Sequence, residues 1–292
     1  MKQHRMTYAI LTFVVILWGV NVVMIKYLLG YFPPLALATI RMALAAFSLL
    51  PAILRSSQLA VPRRAWWPII GVAFFSILVH QLFLAFGLAN TSATHASLLL
   101  GLNPLVTALL ASRYAAEPLS AAKIIGIILG FCGVLLVVSG NTHSIATPFG
   151  DALIFAATLA AVLGYLCVKK ATTLVSPLIV TAYSHPLAAA GLIFLTLCSG
   201  DAWSYGNIKD AWPLIMLLIS SFGSTALGGY LWNRGIQRIG ASNTSLFQNG
   251  IPIAGIFASA LFLYEPLGWH HIAALFLVLS GVSLGSGAWQ RK

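Results

Sequence analysis

The sequence predicts an all-α membrane protein, with ten transmembrane helices arranged as two inverted-topology five-helix repeats. Three observations predict it. First, hydrophobic residues make up 60% of the 292 positions and charged residues only 7%, against roughly 25% charged in a soluble domain. Mean hydropathy is +0.94, and the apolar residues form unbroken runs of about 20 positions without strand-like alternation. Backbone in lipid must satisfy its own hydrogen bonds, so such runs are helices. Second, Glu117-Pro118-Leu119 recurs 148 positions later as Glu265-Pro266-Leu267. Pro104 and Pro252, Gly87 and Gly235, Ser97-Leu98 and Ser245-Leu246, and Gly133-Val134 and Gly281-Val282 repeat at the same displacement. Third, lysine and arginine fall almost entirely on alternate connections between the runs.

Each span has a recognisable start and stop. Span one, about 6–29, follows Lys2 and Arg5 like a signal peptide, but no small-residue cleavage site appears, so it is read as an uncleaved first span. Span two, about 34–54, opens at Pro34 and stops at Arg55. Span three, about 66–88, follows Arg63-Arg64, and span four, about 93–112, ends at Arg113. Span five, about 121–139, follows Glu117-Pro118. Span six, about 148–168, runs from Pro148 to Lys169-Lys170, and span seven, about 177–198, from Pro177 to Gly200. Span eight, about 211–232, stops before Asn233-Arg234. Span nine, about 242–264, follows Gly240, and span ten, about 270–288, follows Gly268.

With the N-terminus in the cytoplasm, thirteen of the sixteen Lys and Arg residues lie on inner segments; Lys26, Arg41 and Lys209 are the others. That asymmetry orients the chain with both termini inside. Five spans per unit is an odd number, so the second unit enters the membrane upside down. Residues 1–140 then form the first repeat and 141–292 the second, in one integral membrane domain. Such halves commonly work on a solute passing between them.

Composition narrows the function classes. The +11 charge flanks apolar runs and lines no soluble face, so nucleic acid is not a partner; the lipid bilayer is. Cys132, Cys167 and Cys198 stand singly, without metal or redox spacing, and are read as small buried apolar residues. The five acids, Glu117, Asp151, Asp201, Asp210 and Glu265, map to loops or span ends. No hydrolase, metalloprotease or phosphate-loop motif occurs. The chain is therefore read as a non-enzyme without cofactor or metal, acting as a monomer. Glu117 and Glu265 are expected to complement the starts of spans five and ten.

The informative residues are polar groups inside spans. Pro104 and Pro252 sit mid-span as hinges, each freeing a backbone carbonyl. Asn103, Gln248 and Asn249 flank them, as cavity lining or as hydrogen bonds between halves. Trp18 and Asn21 share a face of span one. His80, Gln81, Tyr165 and His185 are the remaining cavity candidates; His80 and His185 are the titratable groups deepest in the membrane. Arg41 is expected to snorkel to the outer interface, and Tyr230 and Trp232 to join an interfacial aromatic belt. Gly126, Gly130 and Gly133 in span five, with Gly281 and Gly285 in span ten, have the spacing of close helix contacts and mark these spans as structural.

These features resemble a known family. A proline-bearing fourth span, Glu-Pro-Leu and a glycine-rich fifth span in each half, with Leu17-Trp18-Gly19-Val20-Asn21 and Tyr230-Leu231-Trp232-Asn233-Arg234-Gly235, are similar to the EamA-type drug/metabolite transporters. The likeness covers essentially the whole chain and is nearest to the YddG-type exporters of aromatic and other amino acids. It implies a small amino-acid-like solute leaving the cell through a bacterial inner membrane. Related four-span multidrug exporters carry a glutamate in their first helix, whereas this span offers Asn21 and Lys26. A permease for cationic drugs or polyamines, and a non-transporting membrane enzyme or subunit, are the competing readings.

Overall fold

The computed structural model describes residues 2–54, 61–114, 121–139, 146–199 and 210–285. Among these residues every regular element is helical. We number the helices α1 (Lys2–Leu28), α2 (Pro34–Leu54), α3 (Arg63–Asn90), α4 (93–114), α5 (Ala121–Ser139), α6 (Pro148–Ala171), α7 (Pro177–Ser199), α8 (Trp212–Ile239), α9 (241–262) and α10 (Trp269–Gly285). Eight are long and apolar enough to cross a membrane, while α5 and α10 contain shorter apolar stretches. Large apolar side chains such as Phe47, Phe194, Leu197 and Phe257 stand exposed on the helix surfaces. On a soluble protein such a surface would aggregate; here lipid covers it. Cys132 and Cys198 are also exposed and Cys167 half-buried. They are thus not the buried residues expected, because lipid accepts a thiol as readily as a core does.

The packing is nearly unchanged when the two sets of five helices are exchanged. α1 packs on α8 and α9, and α6 packs on α3 and α4; α2 packs on α7 and α8, and α7 on α2 and α3. α5 and α10 run along one another. At their contact a Cβ on Gly281 would fall 2.5 Å from the Gly126 carbonyl oxygen and one on Gly133 3.0 Å from that of Ala274. Hydrogen is the side chain this approach admits. The same displacement reappears in irregularities of the helices. α3 has π-helical turns over Val72–Val79 and α8 over Ile219–Leu227. α4 is interrupted after Leu100, and α9 tightens to a 3-10 turn over Leu246–Asn249. Asn103-Pro104 then restarts α4, and Gly250 begins the rest of α9 two residues before Pro252, so the prolines mark true breaks.

Two ends differ from the sequence expectation. α8 continues past Trp232 to Ile239, because Asn233, Arg234, Gln237 and Arg238 extend an amphipathic turn until Gly240 stops it at φ 83°. Between α9 and α10 the chain turns through Tyr264 at φ 54°, a left-handed conformation costly for a side chain with a Cβ. Tyr264 is exposed and packs little. Tyr264→Asn, which tolerates that conformation, is therefore expected to stabilise the protein by about 0.5–1 kcal/mol in thermal unfolding.

Candidate functional site

The mid-lengths of α1, α3, α4, α6, α7, α8 and α9 enclose a cavity of about 110 Å³. A buried water needs roughly 10–15 Å³ by the same measure, so the space suits several waters or one small solute. Trp18, Asn21, His80, Gln81, Asn103, Tyr165, His185 and Gln248 all line it. Asn249 does not. It follows Gln248 in a 3-10 turn, where successive side chains point about 120° apart. Pro104 and Pro252 lie outside the lining; their effect on it is through the breaks they accompany.

One wall is aromatic. Trp232 is 2% exposed, with its ring centroid 4.9 Å from Trp18 and 5.8 Å from Tyr165. The expected interfacial role for Trp232 is wrong, because α8 runs two turns further than its apolar run suggests and carries the indole inward. Gln248 Nε2 donates to Tyr165 Oη at 2.8 Å, and Trp18 Nε1 donates to the Ser224 carbonyl at 2.9 Å. That carbonyl belongs to the π-helical part of α8, where the wider turn leaves acceptors free of the usual ladder. Trp232 Nε1, Ser224 Oγ, Asn103 Oδ1 and Gln248 Oε1 are buried without a partner among the described residues. Such orphans are uncommon, and here four belong to lining residues.

The histidines are held by backbone. His80 Nδ1–H donates to the Ala157 carbonyl and His185 Nδ1–H to that of Thr181, each at 2.9 Å. A carbonyl only accepts, so Nδ1 carries the proton in both rings.

Behind the lining residues Asn21, Gln81 and Thr225 lies Arg41, 1% exposed. It does not snorkel. α2 is enclosed by α3, α7 and α8 at this level, and the guanidinium is used inside: Nε donates to Ser220 Oγ at 2.7 Å, Nη1 to Gln81 Oε1 at 3.0 Å and Nη2 to Thr225 Oγ1 at 3.1 Å. Ser220 Oγ in turn donates to Asn21 Oδ1 at 2.5 Å. Sequence position alone placed Arg41 near a span end; a π-helical turn offering two hydroxyls, Ser220 and Thr225, was the missing signal.

A second polar cluster lies at one end of the bundle, one to two turns beyond the cavity along α1 and α3. Glu265 accepts from Ala93 N at 2.8 Å, Thr94 N at 2.9 Å and Thr94 Oγ1 at 2.7 Å. It does complement a helix start, but that of α4 rather than α10, because the Tyr264 turn carries the carboxylate back. Glu117 lies outside the described residues. Asp151 accepts from Thr91 Oγ1 at 2.5 Å and pairs with His95 Nδ1 at 3.1 Å. Lys26 Nζ donates to the Leu88 and Thr91 carbonyls. His95 and His271 are buried, as is His185, while His80 is half-buried, so the two histidines expected deepest are not alone. The span-end position of His95 and Asp151 concealed their burial. Among the described residues no group of three or more His, Cys, Asp or Glu is arranged to hold a metal.

Comparison with known proteins agrees with this architecture. Residues 5–139 and 148–286 each match the EamA-like transporter family. An uncharacterized transporter of Bacillus subtilis, YyaM, is 33% identical over 98% of this chain and 95% of its own. A probable amino-acid metabolite efflux pump of Salmonella typhimurium is 29% identical over 92% and 91%. One solved crystal structure shares the fold with a TM-score of 0.71 at 16% identity, covering 96% of both chains.

Proposed function

Because this chain belongs to the EamA-like transporter family, we propose that it exports small amino-acid-like metabolites by opening the central cavity alternately to either side of a bacterial inner membrane. The observation that carries the reading is the cavity itself: mid-helix, lined by polar groups set in an apolar and aromatic wall, and built from residues of both sequence repeats. A relative's description as an amino-acid metabolite efflux pump supports both the solute class and the direction. On this reading α5 and α10 also cross the membrane, completing ten spans, and both termini face the cytoplasm. The exchange-symmetric packing supports halves related as inverted repeats. The cluster around Glu265 is then the outer closure, since it joins α4 of one half to the α9–α10 turn of the other.

The aromatic wall of Trp18, Tyr165 and Trp232 suits a neutral, often aromatic side chain. No acid lines the cavity among the described residues, which counts against the cationic alternative, since a cation in a low-dielectric site needs a counter-charge. The same lack counts against sodium coupling, since backbone carbonyls and hydroxyls would have to coordinate the ion without an acid to neutralise it. Flux of labelled L-phenylalanine into liposomes containing only this protein tests the reading. Uptake above protein-free vesicles, indifferent to an imposed sodium gradient, is expected; no uptake of phenylalanine or of any other neutral amino acid would overturn it.

Orientation has its own test. A cysteine at Gly268 is expected to react with an impermeant thiol reagent on intact cells, and one at Ser120 only after permeabilisation. The reverse pattern would remove the inverted arrangement.

A further inference from the structure

We infer that the cavity contains a carboxylate subsite, seated where α1, α3 and α8 meet, with Arg41 as the charge behind it; the inference rests on the transport reading above. Arg41 is buried and, among the described residues, bonded only to neutral oxygens, namely Ser220 Oγ, Gln81 Oε1 and Thr225 Oγ1. A guanidinium withdrawn from water without a counter-ion is a costly arrangement.

The hydrogen bonds fix what faces the cavity. Arginine only donates, so Gln81 must turn its oxygen to Arg41 and its Nε2 amide away. Ser220 Oγ receives the Arg41 Nε proton and gives its own to Asn21 Oδ1, leaving Asn21 Nδ2 as the outward group. Thr225 Oγ1 gives its proton to the Ser220 carbonyl at 3.0 Å. Gln81 and Asn21 both line the cavity, so one end presents two amide donors backed by a fixed positive charge. That is the complement of an anion and the opposite of a site for an amine. The other end supplies Trp18, Tyr165 and Trp232, a surface for a ring or apolar body. The ligand class is therefore an amphipathic carboxylate. The carboxylate is the obligatory group, and an α-ammonium is dispensable because no acid lines the cavity among the described residues.

Thermal unfolding of purified protein with L-phenylalanine, 3-phenyllactate and L-phenylalaninamide as probes tests this. The two carboxylates should raise the transition temperature and the amide should not. Arg41→Gln should weaken carboxylate binding about tenfold or more, as expected for a lost charge-assisted contact, while Arg41→Lys retains a preference for acid over amide. Gln81→Glu places a carboxylate beside Arg41 inside the protein; it should fold at least as stably and yet lose the response to both acids. That variant separates a lost charge from a lost fold. Stabilisation by the amide equal to that by the acids, no response to either acid, or an undiminished acid response in Arg41→Gln or Gln81→Glu would overturn the subsite. Acid binding without flux into liposomes would instead remove the transport reading and leave the subsite standing.

Discussion

Gly229→Phe is expected to abolish transport while leaving folded protein in the membrane, and Gly229→Ala is expected to leave both transport and fold intact. Gly229 lines the cavity on α8, and a Cβ there would meet only the His185 ring, at 3.5 Å, an ordinary van der Waals contact. Alanine therefore fits without displacing backbone. A benzyl group has the cavity itself as its free volume, about 110 Å³ in all, and would occupy the space a solute needs. The expected loss is complete, at least 100-fold in initial rate, because blocking is steric and cannot be offset by raising the solute concentration. Size-exclusion behaviour and thermal unfolding close to wild type would separate a blocked cavity from a damaged fold. Unimpaired flux in Gly229→Phe would place the pathway elsewhere.

The second large effect is expected at the Glu265 closure. Its carboxylate takes three donors at the start of α4, two of them backbone N–H groups that a helix leaves unsatisfied at its first turn. Alanine would strip all three, at about 1–3 kcal/mol for each donor left without a partner or water. The cost falls on the closed arrangement, since the contact joins α4 to a turn from the other half. Glu265→Ala is therefore expected both to lower the unfolding midpoint by several degrees and to make a cysteine at Gly229 more accessible from outside. Glu265→Gln, which keeps one acceptor, should fall between. If Glu265→Ala lowers stability without changing accessibility, the contact caps a helix and does not gate the cavity.

Much of this arrangement is legible in one sequence because lipid imposes severe rules. Uncharged runs can only be helices, so Trp18, Asn21, His80 and Asn103 are conspicuous as polar or amphipathic residues inside them, and they do meet around one space. The repeat from Glu117 to Glu265 is likewise visible as spacing and recurs as matching breaks in α4 and α9. What stays hidden depends on rotation about helix axes and on departures from regular helix. Asn249 is adjacent to Gln248 but faces elsewhere. Trp232 moves from an interface to the cavity wall because α8 extends through residues whose polarity suggests an end. Arg41 is retained inside by Ser220 and Thr225, and only the π-helical turn of α8 brings those two hydroxyls to one guanidinium. Apolar patterning carries no trace of that turn. His95 and Asp151 lie at helix ends, where polarity is unremarkable, and their burial arises from the contact between α4 and α6.

The central claim is that one cavity between the halves is reached in turn from both faces. A single cysteine at Gly229, in a background lacking Cys132, Cys167 and Cys198, tests it most directly in sealed vesicles of either orientation. Labelling by an impermeant thiol reagent from each face, slowed from both by a transported carboxylate such as L-phenylalanine, is the result this account predicts. A cysteine labelled from one face only, at a rate indifferent to the solute, would contradict it.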